Sequence, residues 1–232
     1  MRVTILRSAL SPAVCAANSD RIADANLSLP RIEAILLAAG ESRRMGYPKP
    51  LLRVGAESFI ARTTALALGV ASRLVIVLGA HADRVRPAVA PDSRIIVVEN
   101  PNFDRGQLSS LKVGLAEVIA GGPQAVAAVV VHLADHPLVA PATFRALVDD
   151  YRKTASPIVV ARYNGRRGHP VIFDRAVFAE LMAAPEDQGA RVVVNADAAR
   201  VRYVDVDDPG VVLDLDTPAD LAHAGLPPPP GL

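Results

Sequence analysis

The run AVAAVVVHL, residues 125–133, is apolar at every position except His132. Side chains in a strand point alternately to opposite faces, so a strand without a polar face needs cover above and below. That requirement points to a sheet held between two layers of helices. Shorter strands are expected at Ile32–Ala38, Arg73–Leu78, Arg94–Val98 and Pro157–Ala161. The stretches between them read as helices: Glu57–Val70, Ala82–Val89, Leu108–Ile119 and Ala142–Tyr151. In the third, Leu108, Leu111, Leu115 and Val118 recur at helical spacing. Strands alternating with helices make parallel crossovers, so the expected fold class is α/β, a three-layer, doubly wound, mostly parallel sheet.

The last third is less regular. Gly168–Phe173, Val201–Val206 and Val211–Leu213 are expected as short strands, and Ala176–Ala183 and Gly189–Ala196 as helical. Thr217–Ala224 reads as a closing helix, with Pro218 in its first turn and Asp220 nearby. No linker divides residues 31–225, which are expected to form one domain of ordinary size. Residues 1–30 are expected to be a poorly ordered extension. Their stretch Ala9–Ala17, behind Arg2 and Arg7, resembles a signal peptide only faintly, because it is weakly hydrophobic and leads into Asp20 and Asp24. The end PPPPGL cannot continue a helix, so 226–232 is expected to be a disordered tail.

Charge narrows the partners. Lys plus Arg number 25 and Asp plus Glu 24, a balance that argues against nucleic acid or a membrane surface, both of which call for a basic face. No apolar run reaches the ~18 residues of a membrane span. Cys15 is the only cysteine and no Cys/His cluster has zinc spacing. Nothing here asks for an oxidising compartment, and a cytoplasmic location is expected.

Chemistry concentrates after the first strand, in LLAAGESRRMGYPKPLL, residues 36–52. Open parallel sheets bind ligands at the carboxyl ends of their strands. The loop is neither of two familiar phosphate cradles. Gly40 is followed by Glu41-Ser42-Arg43, which breaks G-x-G-x-x-G, and five residues separate Gly40 from Gly46 where a P-loop has four. What remains still suits phosphate. Ala38, Ala39 and Gly40 are small enough for main-chain N–H groups to approach a ligand closely. Arg44 can fork onto phosphate oxygens and Lys49 can supply a point charge, whereas Arg43 is the weaker candidate and is expected to face solvent. Asp135, at the carboxyl end of the most apolar strand, is placed to hold Mg²⁺, a hard cation that takes oxygen ligands. Asp216 is either a second metal ligand or the N-cap before Thr217-Pro218. Asp214 is expected to point away from the site if its segment is a strand. His132 is expected to be buried and His136 to line the cleft.

The loop resembles the signature of the molybdenum-cofactor nucleotidyltransferases, a MobA-like NTP transferase family with a nucleotide-diphospho-sugar transferase-like, Rossmann-like fold. The resemblance continues in ENPNFDRGQLSSLKVGL (99–115), VVVHLADHPLV (129–139), GRRGHPVIF (165–173), DQGAR (187–191) and DLDTPADL (214–221). Together the blocks span roughly 32–222 and are specific as a set. The chain departs from the pattern at Ala134, where the family carries Gly.

The resemblance implies an enzyme that joins CTP to molybdopterin and releases pyrophosphate. LLAAG favours the cytidylyl branch, and the GHP and QGAR blocks favour molybdopterin as acceptor. It further implies catalytic roles for Arg44, Lys49 and Asp135, metal binding by Asp135 and Asp216, and nucleotide contacts from Leu37, Ala38, Ala39, Gly40 and Glu41. By the same resemblance at least one of Ser109 and Ser110 binds base or ribose instead of simply capping a helix, and His169 contacts the pterin. A molybdenum hydroxylase or its chaperone is the protein partner this suggests. Two rival readings stay open: a nucleotidyltransferase for a sugar-, polyol- or phospholactate-like phosphate, and a non-catalytic cofactor-binding chaperone.

Overall fold

A computed structural model describes residues 30–121 and 126–230. The leader-like stretch and Cys15 lie outside the described residues, as do residues 122–125 and 231–232.

Seven strands form the main sheet: β1 (Ile32–Ala38), β4 (Leu74–Leu78), β5 (Ile95–Glu99), β6 (Ala128–Leu133), β7 (Ile158–Tyr163), β8 (Arg166–Asp174) and β9 (Val201–Asp205). A short hairpin, β2 (Arg53–Val54) with β3 (Glu57–Ser58), stands apart from it. The order across the sheet is β5-β4-β1-β6-β8-β7-β9. Every pairing is parallel except the two made by β8, which runs against both β6 and β7. The fold is therefore the three-layer, mostly parallel α/β sheet that the apolar runs imply. Chain order reverses at β1, with β4 on one side and β6 on the other. The loops leaving β1 and β6 diverge there and open the crevice in which such sheets bind ligands.

Alternation along the strands divides the core in two. On one face Ala34, Leu36, Ile76 and Val130 pack with Ile60 and Ala67 of α1 (Phe59–Leu68) and Phe144, Leu147 and Val148 of α4 (Pro141–Thr154). On the other, Ile35, Leu37, Val77 and Val129 pack with Leu108, Leu111 and Leu115 of α3 (Gln107–Ala120) and with Phe178 and Leu181 of α5 (Phe178–Ala183). The remaining helices are α2 (Ala82–Val85), α6 (Arg191–Ala196) and α7 (Pro218–His223). β6 is buried from Ala128 to His132, so the run that demanded cover on both faces receives it.

Two local expectations are corrected. Val211–Leu213 is not a strand: Pro209–Val212 is a 3-10 turn. The turn chemistry of Asp208-Pro209-Gly210 overrides the apolar pattern, because the Asp208 carboxylate accepts from the Gly210 N–H (3.0 Å), from the N–H of Ala140 just before α4 (2.8 Å) and from Thr143 Oγ1 within it (2.5 Å). The turn packs on β8 at Gly168, where a Cβ would stand 1.9 Å from the Val211 carbonyl oxygen. Asp216 is not an N-cap. Thr217 caps α7 in a reciprocal box with Asp220, whose carboxylate also accepts from the Asp216 N–H (3.1 Å). Leu226, the first residue of the expected tail, donates its N–H to Leu221 (2.8 Å) and packs beside it.

Candidate active site

The β1–α1 connection is held by its own sequence. Ser42 adopts a left-handed backbone (φ 54°) and its carbonyl accepts from Met45 (3.0 Å) and Gly46 (3.1 Å). Its hydroxyl accepts from the Lys49 N–H (3.0 Å). Met45, 1% exposed, anchors the loop in a small cluster with Leu52, Phe59, Leu215 and Leu221. Leu215 thereby carries its neighbour Asp216 to the loop, and its N–H is bonded to the Asp135 carbonyl (3.1 Å). Three segments distant in sequence thus meet at the carboxyl ends of β1 and β6.

Lys49 is the hub. Its ammonium lies 2.5 Å from Asp135 Oδ2 and 2.6 Å from Asp216 Oδ1. Burial pushes the Asp135 carboxyl up, but the facing ammonium, with His136 and His169 adding to it, outweighs burial and the group is held below the usual carboxylate range. Burial pulls Lys49 down, and the two carboxylates more than restore it, leaving it above its ordinary value. Arg44 pairs with the second oxygen of Asp216 while remaining mostly exposed. Arg43 pairs with Glu41 at the surface.

Two cavities adjoin this hub. The smaller, about 340 Å³, is lined by Leu37, Ala38, Ala39, Gly40, Glu41, Lys49 and Asp135, together with Ser110 and Ala134. Its far wall is the loop Phe103–Gln107. The larger, about 710 Å³, is lined by His136 and His169, by Arg166, Arg167 and Arg191, and by the segment 186–190. Leu37, Gly106, Gln107 and Leu133 belong to both. Asp214 faces the larger cavity, contrary to expectation, because its segment is not a strand.

Three histidines, His132, His136 and His169, form a row at the larger cavity. His132 is fully buried and packs edge-on to Phe144 (4.9 Å between centroids), and His136 packs edge-on to His169 (5.5 Å). Burial first, and the neighbouring histidines second, hold His132 well below its usual value. Burial and then His136 hold His169 at about 4. His169 is thus a neutral wall of the larger cavity, with its Nδ1 buried and unpartnered among the described residues.

The residues singled out in the sequence therefore divide. Leu37 to Glu41, Lys49, Asp135 and Ser110 share the smaller cavity, Asp216 joins them through Lys49, and His169 stands in the larger one. Ser109 is absent from both linings; its hydroxyl donates to Asn102 O (3.0 Å) and Gly106 O (2.7 Å). Neither serine is an N-cap, a position held by Gly106. Asn100 and Gln107 gave no chemical signal in the sequence beyond lying in the block 99–115.

Among the described residues no group of three or more His, Cys, Asp or Glu side chains could hold a metal alone. The hub nevertheless fits a cation. Two carboxylates converge on one positive atom, Lys49 Nζ, and a hard divalent cation bound by one or two carboxylates plus substrate phosphates needs no more from the protein.

Two carboxylates and a lysine gathered where β1 and β6 part suit nucleotidyl transfer, in which phosphate charge must be neutralised. The MobA-like NTP transferase domain model matches residues 34–202, and the chain belongs to that family of nucleotidyltransferases. It is 26% identical over 198 residues to the molybdenum cofactor cytidylyltransferase of Escherichia coli K12, covering 83% of this chain and 95% of that one. Among solved structures it is similar to Rv0371c from Mycobacterium tuberculosis H37Rv, with 36% identity, a TM-score of 0.72, and coverage of 84% and 97%. It is also similar to a complex of Rv0371C with manganese, with 34% identity, a TM-score of 0.69, and coverage of 84% and 98%. No helix among the described residues is long and apolar enough to cross a membrane.

Proposed function

We propose that this chain transfers CMP from CTP to molybdopterin and releases pyrophosphate. The observation that carries the reading is the pair of adjoining cavities, with Lys49, Asp135 and Asp216 gathered beside their common wall. The smaller suits a nucleoside triphosphate, laid along the small residues Ala38 to Gly40. The larger suits a phosphorylated acceptor, since three guanidinium groups, Arg166, Arg167 and Arg191, surround it. Likeness to the E. coli cytidylyltransferase supports CTP and molybdopterin as the particular pair.

The acceptor's terminal phosphate is already a nucleophile, so no serine or histidine need be activated. Its oxygen attacks the α-phosphorus of CTP in line, a P–O bond forms, and the bond to pyrophosphate breaks. Asp135 and Asp216 would hold Mg²⁺, which supplies charge neutralisation at the phosphates when bound. Lys49, exchanged from the carboxylates onto the triphosphate, and Arg44, exposed beside Asp216, neutralise the leaving pyrophosphate. The main-chain amides of 38–41 orient the phosphates, and His169, kept neutral, bonds the acceptor. Catalysis is then positioning and charge stabilisation.

Pyrophosphate release from CTP, GTP, ATP and UTP, with Mg²⁺, with and without molybdenum-loaded molybdopterin, tests the reading. Release that requires both CTP and the pterin is expected. Release with GTP instead would overturn the base assignment. Nucleotide binding without turnover on the pterin would overturn the acceptor and return the sugar- or polyol-phosphate reading.

A further inference from the structure

Two serine hydroxyls line the smaller cavity with no acceptor for their protons among the described residues: Ser42, which accepts from the Lys49 N–H and is half-exposed, and Ser110, which is buried. Ser109 and Ser110 stand side by side in the first turn of α3, 5% and 3% exposed. Asn100, 1% exposed and directly after β5, donates its amide nitrogen to both hydroxyl oxygens, at 2.9 and 3.0 Å. The amide cannot be turned round, because its Oδ1 accepts from the Asn102 N–H at 2.9 Å. A hydroxyl whose oxygen accepts such a bond sends its own proton elsewhere. Ser109 sends it to the carbonyls of Asn102 and Gly106. Ser110 makes no such bond to a described residue, and it is Ser110 that lines the cavity.

We propose that Asn100 is a positioning residue for nucleotide recognition: by donating to Ser110 it compels that hydroxyl to act as a donor toward an acceptor atom of the bound nucleoside. The inference rests on the reading that this cavity holds a nucleoside triphosphate. It assigns a role to a buried residue that touches no ligand itself, and it separates two adjacent serines, one spent on the backbone and one free for the ligand.

Calorimetric titration of the full chain with CTP and Mg²⁺, without acceptor, tests it. In Asn100→Asp the side chain still accepts from the Asn102 N–H, but it can no longer donate and draws the serine protons onto itself. Asn100→Asp and Ser110→Ala are each expected to weaken CTP binding about tenfold. The double variant is expected to be no weaker than about tenfold, because both changes remove one interaction. Wild-type affinity in Asn100→Asp, or a multiplied loss of about a hundredfold in the double variant, would overturn the proposal. Should Asn100→Asp not give a cooperative melt, Ser109→Ala against Ser110→Ala decides. Ser110→Ala should lose at least about fivefold more affinity, and an equal or larger loss in Ser109→Ala overturns the proposal. A wild-type chain that binds no nucleotide would overturn the nucleotide reading as well, a result distinct from wild-type binding that the variants leave unchanged.

Discussion

Lys49→Met is expected to move metal affinity and turnover in opposite directions. The ammonium sits 2.5 and 2.6 Å from two carboxylates, and all three side chains are between 14% and 22% exposed. Hydrogen bonds between charged groups are worth about 1.5–3 kcal/mol each. Partial exposure favours the low end, so a cation entering between Asp135 and Asp216 must displace about 3 kcal/mol of existing interaction. Removing the lysine removes that competition. Mn²⁺ should bind the nucleotide-free variant about a hundredfold more tightly than it binds the wild type. The same variant lacks the charge that meets the leaving pyrophosphate, so turnover should fall by about 10²–10³. Without metal it should also be less stable, by about 2 kcal/mol, because Asp135 loses its counter-ion and Asp216 keeps only the exposed Arg44 among the described residues. Electron paramagnetic resonance titration of Mn²⁺, thermal melts with and without metal, and pyrophosphate release read the three effects. Mn²⁺ binding no tighter than in the wild type would refute the idea that Lys49 occupies the cation site.

Acid should weaken the fold through the histidine row. His169 is held at about 4 by burial and by His136, so the folded state refuses a proton that the unfolded chain accepts below about pH 6.5. Its contribution is present above pH 6.5 and is lost as pH falls toward 4, with a slope of about 1.4 kcal/mol per pH unit. Urea melts at several pH values should show a flatter decline for His169→Gln, and parallel declines would contradict the assignment. Gly168→Ala should cost about 3 kcal/mol, since its Cβ would meet the Val211 carbonyl at 1.9 Å and the 209–212 turn would have to move. Asp208→Ala should cost about 2–3 kcal/mol in the same assay, because it leaves the buried Thr143 hydroxyl and the Ala140 and Gly210 N–H groups without their acceptor.

Much of the fold was legible because burial leaves a mark on composition. β1 was bounded to the residue, and α1, α3 and α4 to within a few, since strands covered on both faces have no polar side to lose and helices repeat their apolar positions. The pattern failed at Val211–Leu213, where Val211 and Val212 pack against the sheet and Leu213 against the Met45 cluster without any strand pairing. Apolar character records burial there, but the hydrogen bonds of Asp208 select the turn. The helix cap misled for a related reason. Asp216 and Asp220 both stand where they could serve α7, and only the position of Lys49 draws Asp216 away.

By itself the sequence determined the layered α/β class, the phosphate-suited loop at the end of the first strand, and the presence of a cation and carboxylates suited to nucleotidyl chemistry. These follow from properties each segment carries alone: periodicity, small residues, and charge at a strand end. The tertiary structure alone decided which groups meet. It set Asp216 beside Lys49 through Leu215 and Met45, kept Ser110 in the smaller cavity while committing Ser109 to the backbone, and turned Asp214 toward the larger one. Lys49 and Asp216 are 167 residues apart, and a distance that long along the chain leaves no local periodicity to read. Their meeting is a consequence of packing across the switch point of the sheet.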